Sequence, residues 1–273
     1  RIGDDWKSPL EKLLGLKSPH EEEKLTDTRL PGSPDSENFE NRTKSLLKRF
    51  VVERCIYGVD LDPLAVELCR LALWIETMDR ELPFSFLDHK IKCGNSLVGT
   101  WFDQFSHYPV MAWKNREGGD KGHTNGVHYQ KETRTKAIKA FVKNTLTPDL
   151  ETFLKDRAWF AEDFQKKAAA KHDAALATLS NLHDLPVSDS ARRAHMYREE
   201  FVGSDAYRSL KAAMDLWCAC WFSPPDQIDL APLPTTFGEP SHETRAVAER
   251  VATDKGFFHW ALEFPDVFRS KGS

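Results

Sequence analysis

The sequence contains no apolar run long enough to span a membrane, and its charged start, Arg1 to Lys7, does not read as a targeting segment. No internal repeat is evident. Cysteine is sparse: Cys55, Cys69, Cys93, Cys218 and Cys220 among 273 residues. Their spacing gives neither a disulfide framework nor a metal centre, and Cys218-Ala219-Cys220 is too close for usual zinc spacing with no His pair nearby. The expected state is reduced thiols, three of them in apolar settings where they pack as small hydrophobes, in a cytoplasmic protein without a metal. No sign of charge dominates, the formal net charge being −4, so nothing in the overall balance announces nucleic acid. DNA binding is not excluded, because large DNA enzymes confine positive charge to one cleft or another domain. A Gly-x-Gly-x-x-Gly loop is also missing, which weighs against a nicotinamide dehydrogenase.

The informative stretch is residues 54–99. Cys55 to Val59 reads as a short buried strand, with Asp60 at its carboxyl end, where a carboxylate of a parallel sheet commonly grips ribose hydroxyls. Asp62 suits a helix N-cap and Pro63 the first helical position, where a missing amide hydrogen costs nothing. Beyond Pro63, Leu64, Ala65, Leu68, Leu71, Ala72 and Ile75 recur at helical spacing, widened by Val66, Cys69, Leu73 and Trp74. That width predicts a helix buried on most sides. A second strand is expected near Ile91 to Cys93, followed by the turn Gly94-Asn95-Ser96. On residue chemistry alone, Asp60 and Asp62 could simply cap a helix and Asn95 could simply make a turn.

Taken whole, Tyr57-Gly58-Val59-Asp60-Leu61-Asp62-Pro63, then Phe86-Leu87-Asp88-His89 and Gly94-Asn95-Ser96-Leu97, resembles the N6-adenine DNA methyltransferases of large fused restriction-modification and phage-exclusion enzymes. A second block, Phe257 to Phe268, is similar to the segment those enzymes carry before their catalytic loop. Residues 210–222 and 233–247 resemble the family's helical middle. The resemblance implies that Asp60 binds the ribose hydroxyls of S-adenosylmethionine, that Leu61 and Asp62 pack beside its adenine, and that Asn95 with Ser96 lies near the adenine amino edge. It also implies double-stranded DNA with a target adenine as substrate, and an endonuclease domain or subunit in the same system. The runner-up is a noncatalytic module making DNA or protein contacts in a restriction or antiviral complex.

Two family elements do not occur in the chain: the Gly-rich first loop expected before Cys55 and the Asn-Pro-Pro-(Tyr/Phe/Trp) catalytic loop expected beyond Phe268. The expectation is therefore an internal fragment, inactive alone, with no catalytic residue of its own. Ser223-Pro224-Pro225-Asp226 matches three positions of such a loop, but Asp226 cannot stack on a flipped adenine. It reads instead as a helix-terminating loop.

The expected architecture is α/β: a partial Rossmann-like class I methyltransferase sheet with a large, mainly helical insertion. Residues 1–40 form a polar lead-in, 41–110 the cofactor-binding half of the core, 111–232 the insertion and 233–273 the return to the core. Helices are expected over about 41–53, within 168–182, over 206–222 and around 241–253, with residues 111–222 predominantly helical and fewer than two strands of the central sheet inside them. Residues 114–143 hold eight Lys or Arg against three acids, which reads as a solvated helix face and loop or as a phosphate-tracking surface. Phe141, Leu150, Phe153, Leu154, Trp159, Phe160 and Phe164 read as helix-packing faces rather than a platform for single-stranded DNA.

Overall fold

A computed structural model describes residues 39–78, 87–105, 107–113, 131–155, 170–179, 181, 182, 185 and 190–268. The polar lead-in up to residue 38, the Gly-rich loop at 116–126 and the aromatics Trp159, Phe160 and Phe164 lie outside the described residues. The chain divides into two compact units, Arg1–Cys93 with Thr178–Phe201 and Gly94–Ala177 with Val202–Ser273.

In the first unit, α1 (Phe39–Cys55) leads into β1 (Gly58–Asp60), α2 (Pro63–Glu76) and β2 (Ile91–Cys93). The two strands pair in parallel, Gly58 opposite Ile91 and Asp60 opposite Cys93. A parallel pair needs a crossover between its strands, and α2 supplies it. The β1-α2 junction is sharp for the reason visible in the sequence: Asp62 accepts the Leu64 amide at 2.9 Å and Pro63 opens the helix. At the far side, the Arg70 guanidinium donates from Nε to the Ile91 carbonyl at 3.0 Å, tying α2 to β2. Arg70 also approaches Asp88, which accepts from Arg198 at 2.9 Å.

Two expectations need correction here. The strand begins at Gly58, not Cys55, because α1 meets neither Gly nor Pro before Gly58 and runs on through Cys55, leaving that thiol exposed. The helix after Pro63 is not buried on most sides. Val66 is its one buried residue, while Leu64, Leu68, Leu71 and Ile75 are 43–65% exposed. A sheet of two strands covers one narrow face of α2, so the rest of its apolar stripe faces outward.

The described residues of the second unit are mainly helical. α3 (Lys131–Phe141) passes through a π-turn (Val142–Leu146) into α4 (Thr147–Lys155), and α5 (Asp205–Phe222) packs along α6 (His242–Lys255) before the short α7 (Trp260–Glu263). Residues 170–179 are also helical. Ser204 and Ser241 cap α5 and α6 by accepting the amides of Tyr207 and Thr244, each at 3.1 Å. α6 ends on Gly256 at φ 62°, a left-handed cap that a side chain would strain. One core joins Trp113, Ile138, Phe141, Leu146, Cys220 and Ile228. No strand occurs among the described residues of 111–222.

Cys218 and Cys220 are buried on α5, and burial pushes both thiols upward. The other three, Cys55, Cys69 and Cys93, are exposed, so two rather than three thiols pack as hydrophobes. An aromatic disulfide reagent should therefore titrate three thiols in the native chain at pH 8 and all five in denaturant. Prompt reaction of four or five without denaturant would contradict the packing of α5.

Candidate functional site

Asp60 ends β1 on an exposed edge. Its Oδ1 accepts the Asp62 amide at 2.8 Å, which aims the carboxylate, and Oδ2 accepts no hydrogen bond from the described residues. A carboxylate held on one oxygen and open on the other fits a vicinal diol, whose two hydroxyls both donate. Leu61 is 60% exposed beside it, and its carbonyl accepts from the Cys93 thiol at 3.6 Å. Asp62 is also exposed, but one of its oxygens is committed to the cap of α2. The three residues read from the sequence thus lie together in the first unit.

Asn95 and Ser96 lie in the second unit. The Asn95 Oδ1 accepts the Leu97 amide at 3.1 Å and the Asn95 carbonyl accepts the Val98 amide at 3.1 Å. Asn95 is therefore a turn residue in fact, and its side-chain amide nitrogen is left to donate. Leu97, at the tip, is 92% exposed.

What holds this turn is a segment far along the chain. The Asn95 amide donates to Gly256 O at 2.6 Å, and Asn95 forms an isolated parallel bridge with Phe257. Phe258 N donates to Val98 O at 2.8 Å, and Trp260 Nε1 donates to Ser96 O at 3.0 Å. His259 Nδ1 accepts the Thr100 amide at 3.2 Å. Gly99 makes this approach possible, since a Cβ there would lie 1.9 Å from Phe258 O. The block from Phe257 to Phe268, read in the sequence as part of the return to the core, pairs with Asn95 through that bridge and then turns into α7.

His259 is fully buried, and its Nε2 lies 2.9 Å from Asp215 Oδ1 on α5. Lys211, one turn earlier, donates to Asp215 Oδ2 at 2.7 Å. Burial alone would raise the Asp215 carboxyl, but the His259 hydrogen bond and the Lys211 charge outweigh it and hold it below the ordinary carboxylate range. Nearby, Tyr207 donates to the buried Glu263 at 2.6 Å. The His259–Asp215 pair has the look of a catalytic dyad without the function of one. With Nδ1 taken by a backbone amide, Nε2 by Asp215 and the ring sealed from solvent, neither nitrogen is open to a substrate.

These residues were missed in the sequence, although a signal existed. Asp215 sits inside the apolar run Met214 to Phe222 of a helix, and a lone acid there must be paired to be tolerated. Ser223, by contrast, behaves as expected: it terminates α5, is buried, and donates to Ala219 O at 2.9 Å. Among the described residues no group of three His, Cys, Asp or Glu is placed to hold a metal, and no helix is long and apolar enough to cross a membrane.

Residues 54–174 match the family described as Eco57I restriction-modification methylase. That interval contains Asp60 to Asp62, Asn95 and Ser96. The mostly helical chain with its small parallel sheet is compatible with an α/β methyltransferase-like fold. A protein of Methanocaldococcus jannaschii, provisionally described as a type II restriction enzyme and methyltransferase, is 41% identical over 58 residues, covering 18% of this chain and 5% of that relative. No solved structure matches the chain significantly.

Proposed function

We propose that the chain is part of a site-specific DNA adenine-N6 methyltransferase of a restriction-modification or phage-defence system, using S-adenosylmethionine. The observation that carries this reading is Asp60: an exposed carboxylate at the carboxyl end of a parallel strand, aimed by its own turn, within the interval matched to restriction-modification methylases. The two-stranded sheet belongs to a Rossmann-like class I core, into which residues 111–232 insert. S-adenosylmethionine, when bound, supplies an electrophilic methyl group on sulfur. Asp60 accepts from the ribose hydroxyls, Leu61 and Asp62 lie beside the adenine, and Asn95 with Ser96 contacts the adenine edge. The substrate is double-stranded DNA with its adenine turned out of the stack. An endonuclease of the same chain or system is the expected partner.

The exposed apolar stripe of α2 favours a second reading, a noncatalytic module that docks on a larger assembly. Calorimetric titration of S-adenosylmethionine into a parent chain that also carries the Gly-rich first loop separates the two. Saturable binding is expected, weakened about tenfold to a hundredfold in Asp60→Ala, as for loss of a hydrogen bond to a charged acceptor. Equal affinity in the variant would remove Asp60 from the site. No binding at all in that wild-type parent chain would favour the docking module.

A further inference from the structure

We propose that His259, braced by Asp215, is a positioning residue for the turn Gly94–Thr100, its buried Nδ1 lone pair fixing the carboxyl end of the loop that presents Asn95 and Ser96. The functional side of this inference rests on the reading of that turn as a cofactor contact. Its structural side rests on geometry alone. A backbone amide can only donate, so Nδ1 facing Thr100 N must be unprotonated. The ring proton then lies on Nε2, where the Asp215 carboxylate accepts it. Lys211, partly exposed, neutralises the carboxylate from its other oxygen, so both carboxylate oxygens, both ring nitrogens and the Thr100 amide have complementary partners.

The consequence is directional. A side chain at residue 259 that offers no acceptor leaves the Thr100 amide buried and unbonded, a penalty that opens the turn rather than the whole unit. The remaining clamps, Gly256 O on Asn95, Phe258 N on Val98 and Trp260 Nε1 on Ser96, use atoms that substitution of His259 leaves in place. Asparagine is the natural rescue, because its Oδ1 can stand where Nδ1 stood and still accept from Thr100.

The test uses the full chain labelled with nitrogen-15. In the wild type, the His259 ring should show a protonated Nε2 and an unprotonated Nδ1. In His259→Leu, amide exchange at Thr100 and Leu97 should quicken about tenfold more than at Ile138 and Leu146 in the same unit, which lose only what the stranded Asp215 carboxylate costs the unit as a whole. His259→Asn should bring the turn back to within about threefold of wild type. A proton on Nδ1, an unchanged turn in the leucine variant, or an equal loss of protection at Ile138 and Leu146 would each overturn the proposal. The same samples titrated with S-adenosylmethionine address function separately. Binding weakened about tenfold in His259→Leu and restored in His259→Asn supports the positioning role. Equal binding by wild type and His259→Leu despite a loosened turn overturns it. Failure of the wild type to bind sinks the cofactor reading, while the exchange data still decide what His259 does to the turn.

Discussion

Asp215→Ala is expected to destabilise the second unit by about 3 kcal/mol, the upper end of the cost of leaving a buried donor without its acceptor. The substitution leaves the Nε2 proton of His259 without an acceptor in a fully buried place and takes the counter-ion from the partly exposed Lys211 ammonium. The loss comes from stranding those two groups, so the pair's own contribution need not be large. Urea unfolding at pH 7 followed by circular dichroism measures it, and a loss under about 1 kcal/mol would mean that water accepts from His259 and solvates Lys211. The same carboxylate sets a pH dependence. Because its folded pKa lies below the ordinary 3.8, its contribution is complete above that value and disappears as pH falls through the lower folded value. The acid limb of unfolding should therefore flatten in Asp215→Asn.

Gly99→Ala should be at least as damaging, at about 3 kcal/mol or outright failure to fold, because overpacking against backbone cannot be relieved by a rotamer change. The added methyl would sit 1.9 Å from Phe258 O, and Phe258 is held by its own hydrogen bond to Val98. Moving either strand of the contact breaks the clamp on Asn95. Thermal unfolding of the purified variant measures the effect. A melting temperature within a few degrees of wild type would show that the turn and the Gly256–Trp260 segment can separate without cost.

What could be read from the sequence was local. Asp62-Pro63 announces a helix start because cap and proline act within one turn, and the structure places both as read. Ile91 to Cys93 and the helix after Ser241 follow from short-range pattern and capping in the same way. Cys55 misled because apolar residues before a glycine suit a strand or a helix end equally, and the preceding helix claimed it. The exposure of α2 misled for a different reason: periodicity reports which face is apolar, not whether anything covers it. The clamp on Asn95 was out of reach altogether. Nothing at Thr100 indicates that its amide will find an imidazole 159 residues later.

That separation bears on how the chain is made. Synthesis at about 5–20 residues per second puts roughly 8–32 s between emergence of the turn and emergence of the residues that hold it. Through that interval β1, α2 and β2 can associate, yet Asn95 and Ser96 have no Gly256 carbonyl, no Phe258 amide and no His259 to fix them. The interval matched to the methylase family ends at residue 174, more than eighty residues short of that support. A shortened protein cut to the matched interval would keep every residue named for the cofactor and lose the strap across the back of two of them.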